Sequence, residues 1–387
     1  ALGQFEHAAE LHGFIVAASN NSRNGPWAPQ IEAAEAMVND TQQRFSIDTR
    51  RIYFAGFSGG ARVSSQLALL CKCAAGVVLS GAGFPRSAPP STDVKFAVFS
   101  AVGNADFNYS EIVPLQEQLL EATLPHWLRV FDGPHEWAPP EVMNEALAWL
   151  RLQAIKAGLA TRDDELIAAQ LKAARDRAAM FEQSGDLLSA WREYRQIAAT
   201  FDSLADIGTA RSKSAALETD KDVREGQKHE RSAFAEQDRL SDGVLAAVLA
   251  TSSNSAVAQS RPAQSARDLR QRSLNEKKPD RALIFKRALG GVFIGSIESG
   301  NAALEKKDYP LAAQYFACAA EANPESEWVF RRLAVARALS GDRRGAIEAL
   351  RAARTLTKNF ELFSEWCKQE NAFARLRGKP DFEVIAE

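Results

Sequence analysis

The pentapeptide Gly56-Phe57-Ser58-Gly59-Gly60 is the stretch of this sequence best suited to covalent chemistry. A serine hydroxyl is a weak nucleophile alone; it needs a general base, and the base needs an acid to orient it. Residues 51–55 (RIYFA) just before the motif read as a short apolar strand, and residues 61–71 just after it have helical spacing. A G-x-S-x-G sequence between a strand and a helix lifts the serine oxygen above the sheet. The glycines keep side chains out of a strained turn, and the helix N-terminus faces any developing negative charge. The plainer alternative is a glycine-rich turn with an incidental serine. An acid and a base occur where they are needed: Asp106 follows residues 96–102 (FAVFSAV), and His135 follows residues 127–131 (WLRVF). Both sit at C-terminal strand ends, the edge where open parallel sheets place ligands. Asp132, three residues before His135, is the rival acid, and Asp106 has a second possible role as a helix cap. None of His7, His12, His126 and His229 follows a late strand, so all four are read as structural.

The elements that must position these residues form two regions of different pattern. Up to about residue 157, apolar runs at 13–18, 51–55, 76–80, 96–102 and 127–131 alternate with helical stretches at 30–45, 61–71, 110–122 and 140–157. That alternation predicts an α/β sheet, and the continuous apolarity of the runs suits parallel strands covered on both faces. After Gly158 the strand signals stop, and charged helical spacing extends to about residue 249. Residues 250–266 are small and polar and contain Pro262, which predicts a loop or linker. In residues 267–387 a 34-residue step relates Gly300, Asp308, Ala312, Phe316 and Ala319 to Ala334, Asp342, Ala346, Leu350 and Ala353. This period resembles the tetratricopeptide repeat, and Gly185, Asp186, Ala190 and Tyr194 fit a weaker third unit. The expected fold is therefore α/β plus all-α. Its divisions fall at 1–157, 158–249, 250–266 and 267–387.

Composition narrows the possible partners. In 387 residues, 47 Lys and Arg stand against 49 Asp and Glu, a net charge of −2, which argues against a nucleic-acid binder. No apolar run is long enough to span a membrane. Cys71 and Cys73 are two apart, too close for an easy bridge, and are assigned no redox role; Cys318 and Cys367 lie far away. Without a CxxC pair, a zinc site is not expected. Trp191, Trp328 and Trp366 are read as packing residues.

Residues 1–157 resemble the C-terminal two-thirds of an α/β-hydrolase. The nearest likeness is to serine esterases such as polyhydroxybutyrate depolymerases, feruloyl esterases and dienelactone-hydrolase-like proteins. The segments that carry it are IDTRRIYFAGFSGGARVSSQLAL, AVGNADFNYSEIV and FDGPHEWAPPEVMNEALAWL. The resemblance implies hydrolysis of a small ester through an acyl-enzyme, with Ser58 attacking, His135 moving the proton and Asp106 orienting the imidazole. It favours Asp106 over Asp132, makes the Gly59 amide one oxyanion donor, and implies no metal or organic cofactor.

The chain also departs from that family. Its serine normally follows the fifth strand, whereas here only residues 13–18 (GFIVAA) precede 51–55, as a counterpart of the fourth strand leading into Ser19-Asn20-Asn21-Ser22-Arg23. The first three strands are expected to be missing, from a chain that starts at Ala1 rather than Met and reads as a fragment of a longer hydrolase. In that family the third strand lies between the fourth and fifth, so its loss predicts a slot at the sheet centre with unpaired backbone groups. It also removes a second oxyanion donor, a deficit on the order of 100- to 1000-fold in rate. The alternative function is an inactive scaffold that binds a protein partner through its repeats. The residues leave the compartment open, with a lean to the bacterial periplasm or cell envelope.

Overall fold

A computed structural model describes residues 2–20, 27–250 and 256–387, with side chains described in those ranges except at 256–260. The chain divides into two compact units, Ala1–Ser232 and Ala233–Glu387.

The first unit runs α1 (Leu2–His12), α2 (Trp27–Arg44), β1 (Ile52–Phe57), α3 (Gly59–Cys71), β2 (Ala74–Ser80), β3 (Ala97–Gly103), α4 (Tyr109–Glu121), β4 (His126–Phe131) and α5 (Pro140–Lys156). It continues through α6 (Asp164–Ser184), α7 (Leu187–Phe201), α8 (Gly208–Glu218) and the first part of α9 (Lys221–Leu249). The four strands form one parallel sheet in the order β1-β2-β3-β4. Side chains alternate across it with the period of two that a strand imposes. Val78, Phe99 and Ala101 join a core with Leu147 and Leu150 of α5. Val77, Leu79 and Val98 face the other way, onto Ala61 and Ala68 of α3 and Leu115 and Leu119 of α4. Helices on both faces are why the strand sequences are largely apolar.

Residues 13–18, expected as a strand, do not form one. A strand needs a ladder partner, and in the described sheet β1 pairs with β2 alone. Residues 13–19 instead line, together with residues 51–57, a cavity of about 650 Å³, and Ile15 and Val16 are exposed. Asn21, Ser22 and Arg23 lie outside the described residues.

The core of the first unit does not stop at residue 157. It passes without a break from Trp149 and Leu150 to Ile167 and Leu171 of α6, then to Ala190, Trp191 and Ile197 of α7. Trp149 Nε1 donates to Thr200 Oγ1 at 3.0 Å, and Gln196 Oε1 accepts the backbone N–H of Leu128 on edge strand β4 at 2.5 Å. A half-buried charge network adds to this: Arg129 pairs with Glu145 at 2.9 Å, and Arg177 pairs with both Glu145 (2.8 Å) and Glu193 (2.7 Å). Helices α6–α8 therefore belong with the sheet, which moves the division well beyond residue 157.

Two further expectations change. Cys71 and Cys73 are bridged, their Cα atoms 5.1 Å apart. Lys72 between them takes the left-handed conformation that ends α3 and turns the two side chains toward each other. Residues 250–266 are not a linker over their described length. Helix α10 (Ala256–Asn275) contains Pro262, and Ala266 and Leu269 are buried in a core with residues of α11 (Pro279–Glu305) and α12 (Tyr309–Ala322). That tertiary burial outweighs a composition that locally favours a loop.

The second unit continues with α13 (Glu327–Leu339), α14 (Arg343–Leu356), α15 (Phe360–Gln369) and α16 (Pro380–Ala386). Two of its helices start from aspartate caps. Asp308 caps α12 through Leu311 N–H at 3.2 Å, and Asp342 caps α14 through Gly345 N–H at 2.9 Å. Asp186 caps α7 in the first unit through Ser189 N–H at 3.1 Å. A Cβ on Gly300 would lie 2.9 Å from the Phe316 ring, so the glycine lets α11 and α12 approach closely. Trp191 is buried and Trp366 half-buried, but Trp328 is 47% exposed, with the Arg332 guanidinium 5.7 Å from its ring centre. Among the described residues no helix is long and apolar enough to cross a membrane.

Two predictions follow from this packing. Arg177→Ala leaves Glu193 buried with a partner removed and should lower the unfolding free energy by about 2–4 kcal/mol. Arg211→Ala breaks an exposed pair with Asp202 and should cost less than about 0.5 kcal/mol; equal losses in urea unfolding would contradict the difference. His12 and His126 both have pKa values held below the ordinary range, chiefly by burial. His12 Nε2 donates to Asn144 Oδ1, and His126 Nδ1 donates to the Leu124 carbonyl, each at 3.0 Å. As pH falls, the unfolded chain takes up these protons first. The histidines' contribution is therefore full above about pH 6.5 and is lost as pH falls toward their folded values. Replacing both with Gln should flatten the urea midpoint between about pH 7.5 and pH 5 relative to the parent chain.

Candidate active site

A single residue, Ser58, separates β1 from α3. The turn is so tight that a Cβ on Gly56 would lie 2.2 Å from the Gly60 carbonyl, which leaves room only for glycine. Ser58 itself takes φ 54° and ψ −122°, a conformation costly for a residue with a side chain. It is held there by its backbone: Ser58 N–H donates to the Ser80 carbonyl at 2.8 Å, and its own carbonyl accepts the Ala61 N–H at 3.0 Å. Gly59, the expected oxyanion donor, is the first residue of α3, so its amide belongs to the positive end of that helix.

The loops after β3 and β4 meet through another glycine contact. A Cβ on Gly103 would lie 2.2 Å from the Gly133 carbonyl oxygen, and Ala105 N–H donates to that oxygen at 2.9 Å. This approach brings Asp106 onto His135. The Asp106 side chain is completely buried, its oxygens 2.9 and 3.0 Å from His135 Nδ1. Oδ1 also accepts the Asn108 N–H at 2.8 Å. On the other side of the imidazole, Nε2 lies 2.9 Å from Ser58 Oγ. With Asp106 ionised, the hydrogen-bond network assigns the imidazole proton to Nδ1 and leaves Nε2 to accept from the Ser58 hydroxyl. The rival acid is elsewhere: Asp132 is exposed and accepts from Asn104 Nδ2 at 2.9 Å. Of the other histidines, His7 and His229 are exposed on helices, and His12 and His126 are engaged as described above.

Several neighbours of this group were not singled out in the sequence. The His135 ring packs against Phe57 (centroids 4.7 Å apart) and Phe107 (4.3 Å), and Trp137 lies 5.4 Å from Phe57. Phe57 and Phe107 adjoin Ser58 and Asp106 in the chain, and that adjacency was the available signal. Gly81 carried no such signal. It has φ +67°, and a Cβ there would lie 2.7 Å from the Phe57 ring and 3.2 Å from His135 Cε1. Its carbonyl accepts from Asn108 Nδ2 at 2.7 Å, which joins the loop after β2 to the loop that carries Asp106. Arg62 and Glu111 tie α3 to α4 by paired contacts of 2.8 and 2.7 Å, and Glu111 also accepts the Gly83 N–H at 3.0 Å.

Searches of protein-family models, curated proteins and solved structures return no match to this chain.

Gly81→Ala tests how closely this floor is fitted. A left-handed alanine facing two rings should lower the unfolding free energy by about 1–2 kcal/mol. An unchanged midpoint in thermal or urea unfolding would show that the loop has room to spare.

Proposed function

We propose that this chain is a serine hydrolase of carboxylic esters, built on the α/β-hydrolase plan and joined to tetratricopeptide-like helical repeats. The hydrogen-bonded relay from Ser58 Oγ through His135 to the buried Asp106 supports this reading most directly. In it, His135 Nε2 takes the serine proton as Oγ attacks the ester carbonyl. Asp106 holds Nδ1–H and stabilises the imidazolium that forms. The tetrahedral oxyanion develops beside the α3 N-terminus, where the Gly59 amide donates to it. Its collapse expels the alcohol, which receives the proton from His135, and leaves Ser58 acylated. Water activated by the same imidazole then releases the acid. No residue of this scheme requires a metal or an organic cofactor.

The helix pairs α11–α12 and α13–α14 support the second half of the reading. They share the 34-residue step, the Asp308 and Asp342 caps, and buried small residues at Gly300 and Ala334. Stacked units of this kind offer an extended face for a protein partner.

Hydrolysis of p-nitrophenyl acetate and butyrate tests the chemistry. Ser58→Ala should remove at least about 1000-fold of any turnover, and Asp106→Asn roughly 100- to 10,000-fold, without unfolding the chain. Turnover that survives in Ser58→Ala would exclude this serine. A folded chain that turns over neither ester would favour the inactive-scaffold alternative.

A further inference from the structure

The four cysteines sit in two contrasting settings. Cys318 and Cys367 are fully buried in the second unit, and burial pushes both thiols up to about 12, so neither supplies thiolate at neutral pH. Cys71 and Cys73 bridge each other where α3 ends; Cys71 and Lys72 are exposed, and Cys73 is half-buried.

A structural role explains this bridge poorly. A cross-link stabilises a fold by removing freedom from the unfolded chain, and its effect grows with the loop it closes. Here the loop spans one intervening residue, so very little freedom is removed. Helix α3 has other anchors: Ala61 and Ala68 are fully buried, and Arg62 is held by Glu111. Opening the bridge demands little of the backbone. The left-handed turn at Lys72 already ends the helix, and a Cα separation of 5.1 Å suits either a bridge or two neighbouring thiols. An exposed disulfide whose loss costs the fold little is the kind that serves exchange rather than architecture.

We propose that Cys71 and Cys73 form a reversible dithiol–disulfide couple that exchanges with small external thiols of the glutathione class. This assignment does not depend on the hydrolase reading. An external thiolate attacks Sγ of Cys71, the more exposed residue of the pair. A new sulfur–sulfur bond forms, the Cys71–Cys73 bond breaks, and its electron pair leaves on Cys73 Sγ, which takes up a proton. A second external thiolate then attacks the external sulfur of this mixed disulfide and releases Cys71, which is protonated in turn. Two external thiols have become one disulfide, and the protein has gained two electrons and two protons. The reverse sequence, with the oxidised external disulfide as oxidant, closes the bridge. In that reversal the Cys71 thiolate first attacks the external disulfide, with the Cys73 N–H, 3.1 Å from Cys71 Sγ in the bridged chain, placed to donate to it; the Cys73 thiolate then attacks Cys71 Sγ and expels the remaining external thiolate.

The test is a redox titration of the full, unmutated chain in buffers of reduced and oxidised glutathione. Samples are quenched in acid, alkylated and mapped by peptide mass. Cys71 and Cys73 should become labelled together, from about one-tenth to about nine-tenths of molecules as the buffer goes from oxidised to reduced. Cys318 and Cys367 should stay unlabelled until the chain is denatured. Cys73→Ser should trap one glutathione on Cys71. A bridge that stays closed in about 10 mM fully reduced glutathione would overturn the proposal. So would two free thiols that persist in the fully oxidised buffer.

Discussion

Asp106 has no exposure to solvent, and a carboxylate taken out of water persists only where donors meet its oxygens. His135 Nδ1 and the Asn108 amide are those donors. Much of the site's construction follows from satisfying this one charge. The loops after β3 and β4 must touch, so Gly103 can carry no side chain. The imidazole must present Nδ1 to the acid, which leaves Nε2 facing the serine. Ser58 can reach it only from a strained turn, and that turn in turn requires Gly56. Serine, histidine and acid thus come from three separate strand ends.

The two edges of the sheet are treated differently. At β4 the helices after residue 158 close the edge: Gln196 accepts the Leu128 amide, and the Arg129–Glu145–Arg177–Glu193 network links strand, α5, α6 and α7. At β1, the strand and the largely exposed segment 13–18 both line a cavity. An unpaired strand edge is a place where a sheet accepts further extended chain. Among the described residues, the edge bearing the candidate nucleophile has no second ladder partner.

The local signals were the legible part of the sequence. Four of the five apolar runs form strands, because each pairs with a neighbour in one sheet on which helices pack. The run at 13–18 has the same composition and fails, because a strand is defined by its neighbour and that information is not local. Pro262 misled for a related reason, since the burial of Ala266 and Leu269 against distant helices holds α10 together. Ser58, Asp106 and His135 could be picked out because each follows a strand. Gly81 and Asn108, which shape the surroundings of the imidazole, could not, because their roles come from contacts between loops. The Cys71–Cys73 bridge depended on one left-handed residue, Lys72, which composition does not announce.

The central claim is that His135 and Asp106 make Ser58 a nucleophile, and labelling with a fluorophosphonate measures this most directly. The folded chain should take up one probe per molecule, mapped to Ser58, with the rate falling at least about 100-fold in His135→Ala. Labelling spread over other serines, or a Ser58 rate indifferent to the loss of His135, would contradict the account.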